Sequence, residues 1–174
     1  MQVDSLCGAL GQFAKTQPDA LAVDDGDSKW TYGELYRRVL HLADLLVEVG
    51  AKKGDFVAIF MDNSSEAVLA IYATLHVGGV YVPVLPSHPE TRNIAIVEDC
   101  GAKFVLSRGD LTSGLESVFS RSLGATKVVV LHKDGPAARP TSSSTSSTWF
   151  YENEHKSRGH LFYPSAPDDL VYLM

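Results

Sequence analysis

From Thr31 onward the apolar positions fall into two alternating rhythms. Leu35, Val39, Leu42, Leu46 and Val49 recur at steps of four and three, which predicts one buried face of a helix. Thr31-Tyr32-Gly33-Glu34 in front of them has the spacing of a capping box. The threonine hydroxyl can accept from the first turn, and the glutamate can reach back to the cap. Gly50 stands where a left-handed residue would end that helix. Phe56 to Phe60 then reads as a strand with both faces covered, because its apolar run is continuous rather than alternating.

The same grammar repeats downstream. Asn63 is the expected cap of a helix, with Glu66 reciprocal to it, and Val68, Tyr72 and Leu75 are expected on one helical face. Gly78 closes that helix. The adjacent Gly79 implies a tight return or a close approach of another backbone. Val80 to Val84 is the next strand, and Pro83 and Pro86 bend the chain away after it. Ser87-His88-Pro89-Glu90 opens a helix running to about Cys100, with Gly101 as its stop. Phe104 to Leu106 and Val128 to Leu131 are strands on either side of a weaker helix, Leu111 to Phe119. Upstream of Thr31, a short helix is expected over about Leu6 to Lys15. Leu21-Ala22-Val23 and Lys29-Trp30-Thr31 flank an Asp25-Gly26 turn as a hairpin. Strand, helix, strand, helix predicts an α/β fold: a mostly parallel, doubly wound sheet with flanking helices, preceded by a short helix and a hairpin.

Residues 133–167 break the rhythm. Thr141 to Thr148 is entirely Ser and Thr, flanked by Pro136, Pro140, Pro164 and Pro167, so the stretch reads as a long flexible loop, with a phosphorylated regulatory loop as the sharper alternative. Asp168-Asp169 then leads into Leu170 to Met174, the expected last strand, whose carboxyl end is where open α/β sheets bind ligands.

Composition narrows the function classes. The 174 residues are 45% hydrophobic and 21% charged, which is a globular balance for one domain. A net charge of -6 with no basic stripe argues against nucleic acid and anionic membranes as partners. No apolar run approaches the roughly 20 residues needed to span a bilayer. The first residues carry Asp4 and no basic stretch, so no signal peptide is read there and a cytoplasmic location is expected. Cys7 and Cys100 are expected as reduced, partly buried thiols, and Asn63-Ser64-Ser65 as a chance sequon.

The search for chemistry excludes much. Neither G-x-x-x-x-G-K-[ST] nor G-x-G-x-x-G occurs, nor H-E-x-x-H, nor G-x-S-x-G. His155 and His160 lie in a polar loop without an evident third ligand. Asp24, Asp25 and Asp27 read as a solvated turn, and Glu98-Asp99 as an exposed helix end rather than an acid pair.

Four blocks in order resemble the adenylate-forming (AMP-binding) enzyme superfamily, which includes acyl-CoA synthetases and the adenylation domains of nonribosomal peptide synthetases. They are "WTYGEL" (Trp30 to Leu35), "VGAKKGDFVAIFMDNSSE" (Val49 to Glu66), "LHVGGVYVPVLPSHPETR" (Leu75 to Arg92) and "DCGAKFVLS" (Asp99 to Ser107). "DDLVYL" is similar to the family strand that precedes a Thr/Ser/Gly-rich loop ending in Pro-Lys-Gly, which holds ATP phosphates. The resemblance implies that residues 1–174 are the N-terminal region of an AMP-binding domain. It implies an ATP- and Mg²⁺-dependent activation of a small carboxylate, followed by transfer to a thiol of CoA or phosphopantetheine. These 174 residues do not include the phosphate loop. The resemblance therefore assigns no catalytic, cofactor-binding or metal-ligating residue here, no tight cofactor binding, and no activity of the chain alone. Apolar surface left uncovered would favour self-association; a non-catalytic interaction module is the alternative. Two positions depart from the family pattern: His76 where a basic residue is common, and Val84-Leu85 where an acid often follows.

Overall fold

The computed structural model describes residues 5–111, 114, 115, 118, 126–132 and 147–151. Helix α1 (Leu6–Thr16) is followed by the antiparallel pair β1 (Leu21–Asp24) and β2 (Lys29–Thr31). Then come α2 (Tyr32–Glu48), β3 (Phe56–Phe60), α3 (Ser65–His76), β4 (Val80–Val84), α4 (Glu90–Cys100), β5 (Phe104–Arg108), β6 (Lys127–His132) and β7 (Ser147–Tyr151). A single 3-10 turn, Gly109–Leu111, follows β5. Gly114, Leu115 and Val118 are helical, within the stretch expected as the weaker helix.

The large sheet has the order β4-β3-β5-β6-β7, and every neighbouring pair is parallel. The expected α/β architecture is therefore the one found. Its apolar runs divide by the two-residue period of a strand. Val57, Ile59, Phe104, Leu106, Val129 and Leu131 join one core with α1, α2 and α3. Ala58, Phe60, Val82, Val84, Val105, Val128 and Val130 join the other with α4, Leu115 and Val118. Leu42, Leu46, Leu69 and Leu106 are fully buried, each contributing about 1.5–3 kcal/mol.

The capping box on α2 is formed: the Glu34 N–H donates to Thr31 Oγ1 at 3.3 Å, and the Thr31 N–H donates to Glu34 Oε2 at 2.9 Å. Gly50 follows with φ +97°. Three expectations shift. The cap of α3 is Ser64, whose Oγ accepts from the Ala67 N–H at 3.2 Å; Asn63 stands one residue upstream and is exposed. On α3 Leu75 is buried, but Val68 and Tyr72 are half-buried and the deepest line is Leu69, Ala70 and Ala73, because the helix lies between the sheet and α1–α2. Inside the segment read as loop, Ser147–Tyr151 pairs with β6 as a fifth strand. Its aromatic run, Trp149-Phe150-Tyr151, has strand propensity that the surrounding Ser and Thr mask in a composition reading. Leu170 to Met174, His155 and His160 lie outside the described residues.

Candidate functional site at the carboxyl edge of the sheet

From β3 the chain steps to β4 on one side and then crosses back to β5 on the other. The carboxyl ends of β3 and β5 therefore flank a topological switch point, the usual place for a ligand in this architecture. Here the described residues close that gap themselves. Ser107, fully buried, donates its hydroxyl to the Phe60 carbonyl at 3.2 Å, across the last pair of the β3–β5 ladder. One residue on, Arg108 holds Asp110 with both ends of its guanidinium, Nε to Oδ1 at 3.0 Å and NH2 to Oδ2 at 2.7 Å. That fork holds the Asp110 carboxyl below its ordinary pKa and pushes Arg108 up; the charges of Glu66 and Asp62 add to the rise of Arg108. Both side chains are well exposed, so the pair contributes at most about 1 kcal/mol.

At the end of β4, Asn93 of α4 reaches back and donates Nδ2 to the Leu85 carbonyl at 2.9 Å. The His88 N–H donates to that same carbonyl at 3.0 Å. The loop Leu85–Pro89 is thus fastened to the first turn of α4. Asn93 is 1% exposed, and its Oδ1 is buried without a hydrogen-bond partner.

The sequence-selected residues fall elsewhere. Asp24 pairs with Lys29 at 2.8 Å and accepts from the Gly26 N–H. Asp25 accepts from the N–H groups of Ser65, Ser28 and Asp27. Those carboxylates shape a turn rather than an open cation site. Glu98 and Asp99 are exposed, as expected. His76 is buried, and desolvation lowers its pKa while the charge of Asp44 opposes the drop. Among the described residues no three His, Cys, Asp or Glu side chains gather in a way that could hold a metal ion. The groups at the switch point also do not fit a polyphosphate: Arg108 already binds a carboxylate, and Asp62 and Glu66 add negative charge beside it. No step through ATP or Mg²⁺ is derived from them. Sequence reading missed Ser107, Arg108, Asp110 and Asn93. Of these, only the closely spaced Arg108 and Asp110 carried a local signal, an acid two positions after a base.

The comparisons with known proteins agree with this architecture. The family profile described as AMP-binding enzyme matches residues 10–174. Tyrocidine synthase 1 of Brevibacillus parabrevis is 30% identical over 161 residues, which are 92% of this chain and 13% of that protein. Indigoidine synthase of Streptomyces lavendulae is 30% identical over 136 residues, 78% of this chain and 10% of that one. Among solved structures, that of IdnL7 superposes with a TM-score of 0.79 at 20% identity, over 99% of this chain and 33% of that chain. The Klebsiella oxytoca NpsA N-terminal subdomain, solved with 3-hydroxybenzoyl-AMSN, gives 0.69 at 21%, over 98% and 37%. The fold is that of adenylate-forming N-terminal subdomains. The chain belongs to the AMP-binding enzyme family, and it spans a small part of the relatives it matches.

Proposed function

We propose that these 174 residues are the N-terminal scaffold of an ATP-dependent carboxylate-activating ligase of the cytoplasm. The complete enzyme would join a small carboxylate to AMP, releasing pyrophosphate, and pass the acyl group to a thiol of CoA or phosphopantetheine. ATP with Mg²⁺ supplies the activated phosphorus in such chemistry, and charge neutralisation there carries most of the rate. The role of this chain is positional: a parallel sheet, covered on both faces, that holds a nucleotide grip at its carboxyl edge. The observation that carries the reading is the family match over residues 10–174. The absence of a Pro-Lys-Gly-terminated loop from these 174 residues supports inactivity of this polypeptide alone.

The test is a chimera. Residues 10–174 replace the equivalent region of an active adenylation domain, and carboxylate-dependent exchange of pyrophosphate into ATP is measured. Exchange by the chimera, with none from the 174-residue chain, is the expected result. A chimera that melts cooperatively yet exchanges nothing would overturn the scaffold role; exchange by the short chain would overturn its inactivity. The alternative, a non-catalytic interaction module, draws on the exposed Leu6, Phe13 and Leu21. It predicts concentration-dependent self-association in sedimentation, and a monodisperse monomer counts against it.

A further inference from the structure

Helix α3 starts just past the carboxyl end of β3, after the loop Met61–Ser64. Whatever fixes the first turn of α3 also fixes that loop. The first N–H groups of a helix have no partner inside it. Ser64 serves one of them, its Oγ accepting from the Ala67 N–H at 3.2 Å, while its carbonyl accepts the first regular helix bond from the Val68 N–H, also at 3.2 Å. The Ser65 N–H goes instead to Asp25 Oδ2 at 2.7 Å, 40 positions upstream in the hairpin turn. The other oxygen of the same carboxylate accepts from Asp27 at 3.0 Å and Ser28 at 2.7 Å, the bonds that shape the turn. One carboxylate thus holds the hairpin closed and caps a distant helix.

The charges around the same turn point the same way. Glu66, the next residue of α3, is nearly buried, and both Arg38 and Arg108 lie in its field. Arg38 sits 4.5 Å over the Trp30 ring of β2. Arg108 is at the carboxyl end of β5. Glu66 thus feels one cation stacked on the hairpin strand and one at the carboxyl edge of the sheet.

We propose that the hairpin is a clamp on the carboxyl edge: Asp25 is a positioning residue for the loop Met61–Ser64, and a disturbance of the hairpin turn is transmitted to the end of β3. The clamp is a property of this chain and holds whatever reaction the complete protein performs.

Hydrogen exchange and the amide spectrum of the 174-residue chain test it, with Asp25→Ala, Asp25→Asn and Lys29→Ala. Asn has only one acceptor oxygen and cannot serve both the turn and the cap. Lys29→Ala removes a hairpin ion pair without touching the Asp25 carboxylate. Both Asp25 variants should speed exchange of the Ser65 and Met61–Ser64 amides about tenfold, the scale of a lost helix cap. The amides of α2 and of Val105 and Leu106 should be unchanged, and Lys29→Ala should match the parent. The Ser65 amide proton should also move upfield in Asp25→Asn as its charged acceptor goes. A uniform rise across the chain, or a shift at Ser65 with normal exchange at Met61–Ser64, overturns the clamp. If Asp25→Ala does not fold, the comparison of Asp25→Asn with Lys29→Ala decides alone.

Discussion

Lys103 reaches Asp55 at 2.6 Å across 48 positions, joining the amino ends of β5 and β3. The two partners are unequal. The Asp55 side chain is 10% exposed and that of Lys103 is 65% exposed. Asp55 also accepts from the Lys52 N–H at 2.9 Å, which forms the turn before β3. Removing the lysine deletes a solvated ion pair; removing the aspartate also strands a backbone N–H. Asp55→Ala should therefore cost about 1–3 kcal/mol, and Lys103→Ala less than about 1 kcal/mol. Urea unfolding measures both, and equal costs would contradict the asymmetry.

Gly79 is where the return from α3 to β4 leaves no room. A Cβ there would lie 3.1 Å from Thr74 Cγ2 and 3.2 Å from the carbonyl oxygens of Asp55 and Thr74. Two of those neighbours are backbone and cannot rotate away. Gly78 before it has φ +72°, the left-handed conformation that favours glycine. Gly79→Ala should destabilise by about 1–3 kcal/mol through crowding, and Gly78→Ala by about 1–2 kcal/mol through strain. A thermal midpoint for Gly79→Ala equal to that of the parent would show that β4 can shift aside freely.

Gly78 was legible in sequence because its cause, a left-handed helix end, is local, and so were the α2 box and the two-sided strands; Gly79 was legible only as a close approach, and the backbone it meets includes the distant Asp55 carbonyl. What escaped is set by contacts between elements. Asn63 and Ser64 are both good caps; the choice of Ser64 goes with Asp25 reaching the Ser65 N–H from the hairpin, which no local window contains. Asn93 looks like a polar interruption of α4 until its Nδ2 is found on the Leu85 carbonyl. Ser107 closes the switch point only because β3 and β5 are neighbours. The strand Ser147–Tyr151 was hidden by the composition around it. Four blocks of the family resemblance lie within Trp30 to Ser107, among the elements β2 to β5, while the last, DDLVYL, lies outside the described residues.

The Asp25 carboxyl is held well below the usual carboxylate range, first by the Ser65 N–H and further by that of Ser28. A carboxylate depressed in the folded state stabilises it above the unfolded pKa of about 4, and that stability is lost as pH falls through the folded value. Asp25→Asn should therefore be less stable than the parent at neutral pH. The gap should narrow as pH falls below about 4, because the parent loses what the variant never had. Urea midpoints from neutral to acid pH provide the measurement; parallel profiles would mean that Asp25 titrates alike in both states.

The two cysteines should react in a fixed order. Cys7 is 5% exposed, its thiol donates to the Tyr72 carbonyl at 3.6 Å, and burial pushes its pKa up to about 12. At about pH 8 its thiolate fraction is then on the order of one in ten thousand, and the thiolate is the reacting species. Cys100, at the end of α4, is half-buried; burial raises its pKa too, while the Ala102 and Cys100 backbone groups oppose the rise. With Ellman's reagent under native conditions, Cys100 should be modified first. Cys7 should follow only at the rate at which α1 and α3 separate. Added urea below the unfolding transition should accelerate Cys7 steeply and Cys100 weakly, because only the first needs an opening event. Fast, urea-independent modification of Cys7 would show that α1 does not shield it in solution.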